Sequence, residues 1–425
     1  MSLNLILNSA EAEAIEIMNK AASTDELGEA PEGVDPALWE QWKQWEMLPT
    51  NDFLYQVKRG MQGLNTGLRS GIPGLDKYTY GIHQARYYLI GADSSVGKTT
   101  VADFMFVFNA WKDAKRLGRP IKIFYCSFEV GKMDKTARWV SHIIFQKWGI
   151  RLPSDYILGR IEGKRVTKAH EALILKAYAL VLEMMRDIVF VEDVIHPTKI
   201  FEDLIGAHFE KVGIVTRAEV SEEDRAKGRK GYVKGYQPND PNLITFLVID
   251  HLALTGSEQK LDTKHIMDRM SKYGIVLRNI FHCTTCFIQQ FSTDLMSFHR
   301  TNKKNPQSIA PQRLDFGDSK ATFRDADLVF GLVNPASYDF DKFHGYTLMS
   351  DDGENLGECF RGLYLMKNRY GISSRLIPLF LDGLSGTVYD LPIEGSNVIA
   401  MTPWYNKAIE IEALCQEFSP SQQRQ

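Results

Sequence analysis

The chain has 425 residues, 44% hydrophobic and 24% charged, with a net charge of −3. That is ordinary globular composition, long enough for one large core plus a small appendage. The charge excludes a globally basic surface, so any nucleic-acid contact must come from local basic loops. Five cysteines in so long a chain exclude a disulfide framework. Cys283 and Cys286 form a C-x-x-C within an apolar run, with no second pair nearby, and read as core packing. No basic stretch followed by an apolar block opens the chain, so no secretory signal is visible. The most apolar long stretch, Ala172 to Met185, is broken by Lys176 and Glu183 and is no membrane span. A soluble protein of the cytoplasm is expected.

In chain order, residues 1–65 read as a short helical region ending in a linker helix. Glu11 to Ala21 suggests one helix. Asp35 can cap a second, with Pro36 in its first turn and Trp39, Trp42 and Trp45 recurring on one side. Such a stripe is expected to pack against the main domain or another subunit. Asp52 to Met61 is a third amphipathic segment, with Phe53, Leu54, Val57 and Met61 on one face, and it runs into a glycine-rich stretch, Gly63 to Gly74.

Residues 66–400 alternate strand-like and helix-like runs, the signature of an α/β fold with a mostly parallel sheet and flanking helices. The predicted strands are Tyr87–Ile90, Ile121–Ser127, Ile188–Glu192, Ile244–Asp250, Thr284–Gln290 and Asp327–Val333. Three more, Gly362–Lys367, Leu376–Leu381 and Gly386–Tyr389, are spaced closely enough to be antiparallel. The predicted helices are Val101–Lys115, Lys132–Trp148, Val166–Met185, Thr198–Val212 and Thr263–Phe281. Residues 214–242 interrupt the rhythm with a charged run and read as a surface insertion. Residues 401–425 read as a tail, disordered from Ser419.

The most informative motif is Ala92–Thr100, ADSSVGKTT, between an apolar strand and a helix. That order is the phosphate loop of a nucleotide-binding protein, with Ala92 where glycine is usual. Backbone N–H groups of Ala92, Ser94, Ser95, Val96 and Gly97 can curl around phosphates, and the helix N-terminus adds its positive end. Lys98 can reach the β- and γ-phosphates, Thr99 can hold Mg²⁺, and Thr100 completes the motif. The expected ligands are therefore ATP and Mg²⁺.

Phosphoryl transfer to water also needs a second carboxylate for the metal, a group that orients water, a γ-phosphate sensor and a cation for developing charge. Each has a candidate at the end of a predicted strand, where such a sheet places its ligand. Asp250 ends FLVID and would bind Mg²⁺ through water together with the Thr99 hydroxyl. Glu129, in Ser127-Phe128-Glu129, could polarise the attacking water, or else serve as a helix N-terminal carboxylate. Gln290 could report on the γ-phosphate, with Gln289 as the competitor. Lys367 and Arg369, two residues apart on a strand, share one face and could both reach one phosphate.

Taken in order, these motifs resemble the C-terminal domain of DnaB-type replicative helicases. DSKATFRDADLVF (Asp318 to Phe330) and the upstream LNTGLRSGIPGLDKYTYGI (Leu64 to Ile82) also look like that domain. The resemblance covers roughly residues 64–392. It implies a RecA-like P-loop ATPase core and a hexameric ring moving 5′ to 3′ on single-stranded DNA. It also implies Lys98, Thr99, Glu129, Asp250 and Gln290 acting in cis, with Lys367 and Arg369 reaching a neighbour's nucleotide. Asp93-Ser94 departs from the family's frequent Arg-Pro, and His251 from its common Tyr, without loss of the chemistry. The sixty-odd N-terminal residues are fewer than the family's primase-meeting domain needs. The partners implied are single-stranded DNA, further copies of the chain, and primase, a helicase loader or other replisome proteins. A compact form would fit a bacteriophage replisome in the host cytoplasm.

DNA contacts would come from two loops: one with Lys260 and Lys264, the other, Ser292 to Thr322, with Arg300, Lys303, Lys304, Arg313 and Lys320. They should be to phosphates and independent of sequence. Two other readings are a RecA-like recombination or repair ATPase and a non-motor P-loop loader or switch. The late Lys367-x-Arg369 pair favours the helicase over the first, and Glu129 favours sustained turnover over the second.

Overall fold

Strands that are apolar on both sides need a sheet covered on both faces, and the chain builds one. The computed structural model describes residues 33–226, 230–258, 261–292, 306–317, 319–338, 340, 342–348 and 356–392, with Ala14, Ile17, Met18 and Ala30. The chain divides into two compact units, residues 1–65 and 66–425.

In the larger unit the strands are β1 (Tyr87–Ala92), β2 (Ile121–Ser127), β3 (Ile188–Val191), β4 (Gly213–Arg217), β5 (Val233–Pro238), β6 (Ile244–Asp250) and β7 (Thr284–Gln290). They continue with β8 (Leu328–Val333), β9 (Lys342–Phe343), β10 (Tyr346–Thr347), β11 (Phe360–Asn368), β12 (Arg375–Asp382) and β13 (Thr387–Asp390). Nine of them form one sheet in the order β13-β12-β11-β8-β1-β7-β6-β2-β3. From β8 to β3 all neighbours are parallel, and β11, β12 and β13 run antiparallel. The fold is thus α/β, a mostly parallel sheet with flanking helices, as expected.

Alternate residues of each strand feed opposite layers, as a period of two requires. On β1, Tyr88, Ile90 and Ala92 join a core with Trp139, Ile144, Val181 and Met184 from the helices Lys132–Trp148 and Lys168–Met185. Tyr87 and Leu89 join another with Ile200, Phe209, Met267 and Leu277. The helix after the phosphate loop opens at Lys98–Ala102, widens into π-type turns over Asp103–Asn109 and closes at Ala110–Arg116.

Within the insertion, β4 and β5 pair antiparallel as a hairpin, with the short helix Glu222–Ala226 between them. In the smaller unit, Asp35 caps Pro36–Lys43 as expected, accepting from the Ala37 and Leu38 amides. Trp42 and Trp45 meet the next helix, Phe53–Met61, within the same unit. Lys58 Nζ stands 4.1 Å from the Trp42 ring centre, and Trp45 packs on Tyr55 at 5.3 Å. That helix buries Tyr55 and Arg59, half-buries Leu54 and Val57 and leaves Phe53 and Met61 exposed, so the inward face is rotated from the predicted one. Of the predicted helix Glu11–Ala21, only Ala14, Ile17 and Met18 are described, each helical; the rest, like the tail 401–425, lies outside the described residues.

Candidate active site

The phosphate-loop motif leaves the carboxyl edge of the parallel strands at the end of β1. Ser95 (φ 61°) and Gly97 (φ 104°) both take left-handed backbone, and the helix begins at once with Lys98. A Cβ on Gly97 would lie 2.9 Å from Leu381 Cδ1, so that leucine would have to shift to admit one. Ala92 does not have positive φ, so its backbone makes no demand for the usual glycine. Lys98 is buried at the first turn.

Behind the loop, the Thr99 hydroxyl donates to Asp250 Oδ2 at 2.8 Å. Asp250 is buried, and its Oδ1 has no hydrogen-bond partner among the described residues. Burial raises the Asp250 pKa, and Lys135 opposes that, its Nζ 3.7 Å from Oδ2. Lys135 is itself fully buried and also pairs with Asp103 at 3.1 Å. Asp103 accepts from the Tyr125 hydroxyl at 2.7 Å and from Trp139 Nε1 at 3.0 Å. Two buried carboxylates therefore share one buried ammonium, which is how such charges are tolerated away from water. Sequence reasoning missed Asp103, Lys135 and their ring partners. Asp103 interrupts the apolar run Val101–Phe108, and Lys135 and Trp139 are four apart on one helical face; both were available signals.

The residues fit Mg²⁺: a threonine hydroxyl with free lone pairs beside a carboxylate oxygen that nothing else occupies. Among the described residues no three His, Cys, Asp or Glu side chains gather as a metal cluster. Any metal here would depend on phosphate and water for its remaining ligands.

Glu129 lies just past β2, whose last residue, Ser127, pairs with Asp250. Its exposed carboxylate is close enough to raise the His251 pKa, although burial is the larger effect and lowers it. The alternative task, capping the helix Lys132–Trp148, is performed by Glu192, which accepts from the Lys132 amide at 2.8 Å. Gln290 pairs with Ala92 at the mouth of the loop and is exposed. Gln289 is buried, donating to the Phe316 carbonyl at 2.6 Å and accepting from the Thr322 hydroxyl at 2.7 Å. The pleat separates the two amides: Gln289 is hydrogen-bonded in the core, and Gln290 is exposed.

Lys367 and Arg369 require a correction. They end their strand, but β11 is antiparallel, so its end lies at the amino edge of the parallel strands. Asn368 pairs with Leu328 and Leu328 with Tyr88, whereas Ala92 pairs with Leu332. Four residues separate the two levels, roughly 13 Å along a strand. The two cations do share a side, but they converge on a helix end. Lys367 Nζ donates to the carbonyls of Phe323, Arg324 and Ala326 at 3.0, 2.7 and 2.6 Å, using all three of its protons. Burial, with Arg369 nearby, pulls the Lys367 pKa down to about 8. Arg369 donates to the Arg324 carbonyl at 2.9 Å and lies 3.7 Å from Asp327, with 44% of its side chain exposed.

Of the candidate DNA contacts, Lys260, Arg300, Lys303 and Lys304 lie outside the described residues. Lys264 and Lys320 are exposed in the first turns of the helices Thr263–Asn279 and Lys320–Asp325. Ser319 donates to Asp268 at 2.7 Å and so ties those two turns together. Arg313 stands over the Phe323 ring at 6.0 Å, as Lys367 does at 5.8 Å.

No family model and no curated protein matches the sequence. Solved structures do. The chain is similar to a solved ATPase domain, with a TM-score of 0.54 at 15% identity over 85% of this chain and 100% of that one. It is also similar to a DnaB-like replicative helicase described with its interactions with primase, with a TM-score of 0.53 at 16% identity over 90% of this chain and 75% of that one. These likenesses show the shared α/β fold. No described helix is long and apolar enough to cross a membrane.

Proposed function

We propose that the chain is an ATP-dependent replicative DNA helicase that assembles as a hexameric ring and moves 5′ to 3′ along single-stranded DNA. The observation that carries this reading is the position of Arg369, half-exposed and at the opposite edge of the sheet from its own phosphate loop. A cation there cannot serve its own nucleotide but is open to a neighbour's. Similarity in fold to a DnaB-like replicative helicase supports the same reading.

In this mechanism the loop amides and Lys98 bind the phosphates of ATP. Thr99 and Asp250 would hold Mg²⁺, which supplies charge neutralisation when bound. Glu129 accepts the proton of the attacking water, Gln290 responds to the γ-phosphate, and Arg369 of one subunit stabilises charge at the next. Lys367 supports Arg369 by holding the helix end on which both converge. Residues 66–400 would be the motor, 1–65 a short helical region with a linker helix, 214–242 a surface insertion and 401–425 a tail. Lys264 and Lys320, with Lys260, Arg300, Lys303, Lys304 and Arg313, would meet the DNA backbone. Primase, a loader or other replisome proteins would be the further partners, in the cytoplasm.

The test mixes Arg369→Ala with Lys98→Ala subunits, each inactive alone. In mixed rings some interfaces pair an intact loop with an intact Arg369, so part of the ATPase activity should return. If co-assembly is confirmed and no activity returns in mixed rings or isolated mixed dimers, the trans role is wrong. An ATPase rate indifferent to single-stranded DNA would point instead to a nucleotide switch.

A further inference from the structure

Two residues beyond β8, one soon after that strand and one in β11, contact the phosphate loop. Soon after β8, the Tyr338 hydroxyl donates to the Asp93 carboxylate. At the start of β11, Arg361 Nε donates to the Val96 carbonyl at 2.6 Å. Arg361 is a buried arginine whose Nη1 is anchored on the carbonyls of Glu358 and Phe360 at 2.8 and 2.7 Å. Burial lowers its pKa to about 10, which leaves it charged at neutral pH.

The chemistry of the loop explains why such contacts matter. A loop that turns its amides inward must turn carbonyls outward, and an outward carbonyl buried in protein needs a donor. Arg361 supplies one at Val96, midway between the two left-handed residues, Ser95 and Gly97. Asp93 carries the one negative side chain of the motif, which would repel a triphosphate if it were free to swing inward. The Tyr338 hydroxyl engages that carboxylate.

We propose that Tyr338 and Arg361 are positioning residues that clasp the phosphate loop and hold it in its phosphate-ready shape before nucleotide arrives. The proposal rests on the nucleotide reading for its purpose but not for its geometry, so it is tested on the nucleotide-free protein. Amide hydrogen exchange is measured over residues 92–99 in wild type, Tyr338→Phe, Arg361→Met and Arg361→Lys, with the helix Lys168–Met185 as internal reference. Loop exchange should quicken about tenfold in Tyr338→Phe and Arg361→Met, with Arg361→Lys between them and wild type, and the reference unchanged. Equilibrium binding of ATP should weaken about fivefold in the same variants, with the loss larger in KM than in kcat. Should Arg361→Met fail to fold, Tyr338→Phe and Arg361→Lys carry the test. Loop exchange equal to wild type in the folded variants overturns the clasp. Wild type that fails to bind ATP while its variants show quickened loop exchange would overturn the nucleotide reading and leave the clasp standing.

Discussion

Thr99 and Asp250, 151 residues apart in sequence, meet through a 2.8 Å hydrogen bond at the carboxyl edge of the sheet. The threonine proton satisfies Oδ2, and the buried Oδ1 has no hydrogen-bond donor among the described residues. An arrangement of this kind is complete only with a cation or water in front of it, and it sets the order of importance among the surrounding groups.

Lys98→Ala should abolish hydrolysis, because it removes the cation that would meet the β- and γ-phosphates. Glu129→Gln should keep nucleotide affinity and slow turnover by roughly a hundredfold or more, the usual worth of general-base assistance. Binding and turnover are measured separately. Wild-type turnover in Glu129→Gln would move the water-activating role elsewhere.

Lys135→Met should destabilise the protein by about 3–5 kcal/mol, since it strands Asp103 and Asp250 as buried carboxylates without their shared ammonium. Urea denaturation reads this directly. A midpoint equal to wild type would mean that the pair is already neutral in the folded protein.

Acid should weaken the fold through His142. This ring is buried, stacked on Phe108 at 4.0 Å, and burial lowers its pKa from 6.5 to about 4. Between those values the unfolded chain binds the proton and the folded one does not, so stability is full above about pH 6.5 and falls as pH drops towards 4. The loss approaches about 3 kcal/mol at 1.4 kcal/mol per pH unit. Carboxylates held low, such as Asp187 and Asp113, add to the acid limb. The diagnostic is therefore the difference: His142→Leu should show a shallower slope from pH 6.5 to 4, and parallel curves would contradict the assignment.

Neutralising Lys264 and Lys320 together should flatten the salt dependence of single-stranded DNA binding by about 0.7 per contact in the log–log slope. Fluorescence titration at several salt concentrations measures it. An unchanged slope would take the DNA path away from these two helix ends.

Much of the fold was legible because its central strands are apolar runs closed by a polar residue. Ile121–Ser127, Ile244–Asp250 and Thr284–Gln290, with the helix Lys132–Trp148, appear with the boundaries that the pattern predicts. The hairpin β4–β5 was not legible, since its strands are short and only half-buried and the run between them is dominated by charge. The face of the helix Phe53–Met61 was misread for a related reason. Its buried members include Arg59, which donates to Asn65 at 3.4 Å, and periodicity sees only apolar residues. At the site, motif spacing found the groups that face the loop. It could not find Tyr338 or Arg361, because their partners Asp93 and Val96 are distant in sequence and lie in the loop itself, one of them as a backbone oxygen. Nor could it show that a strand's end changes edge when the strand reverses.

That reversal of β11 has a bearing on dilution. If Arg369 completes a site, it completes one on another molecule, and the rate per chain becomes a property of the population. Hydrolysis should then fall faster than in proportion to protein as the solution is thinned, and a minority of defective chains should silence more sites than their own number.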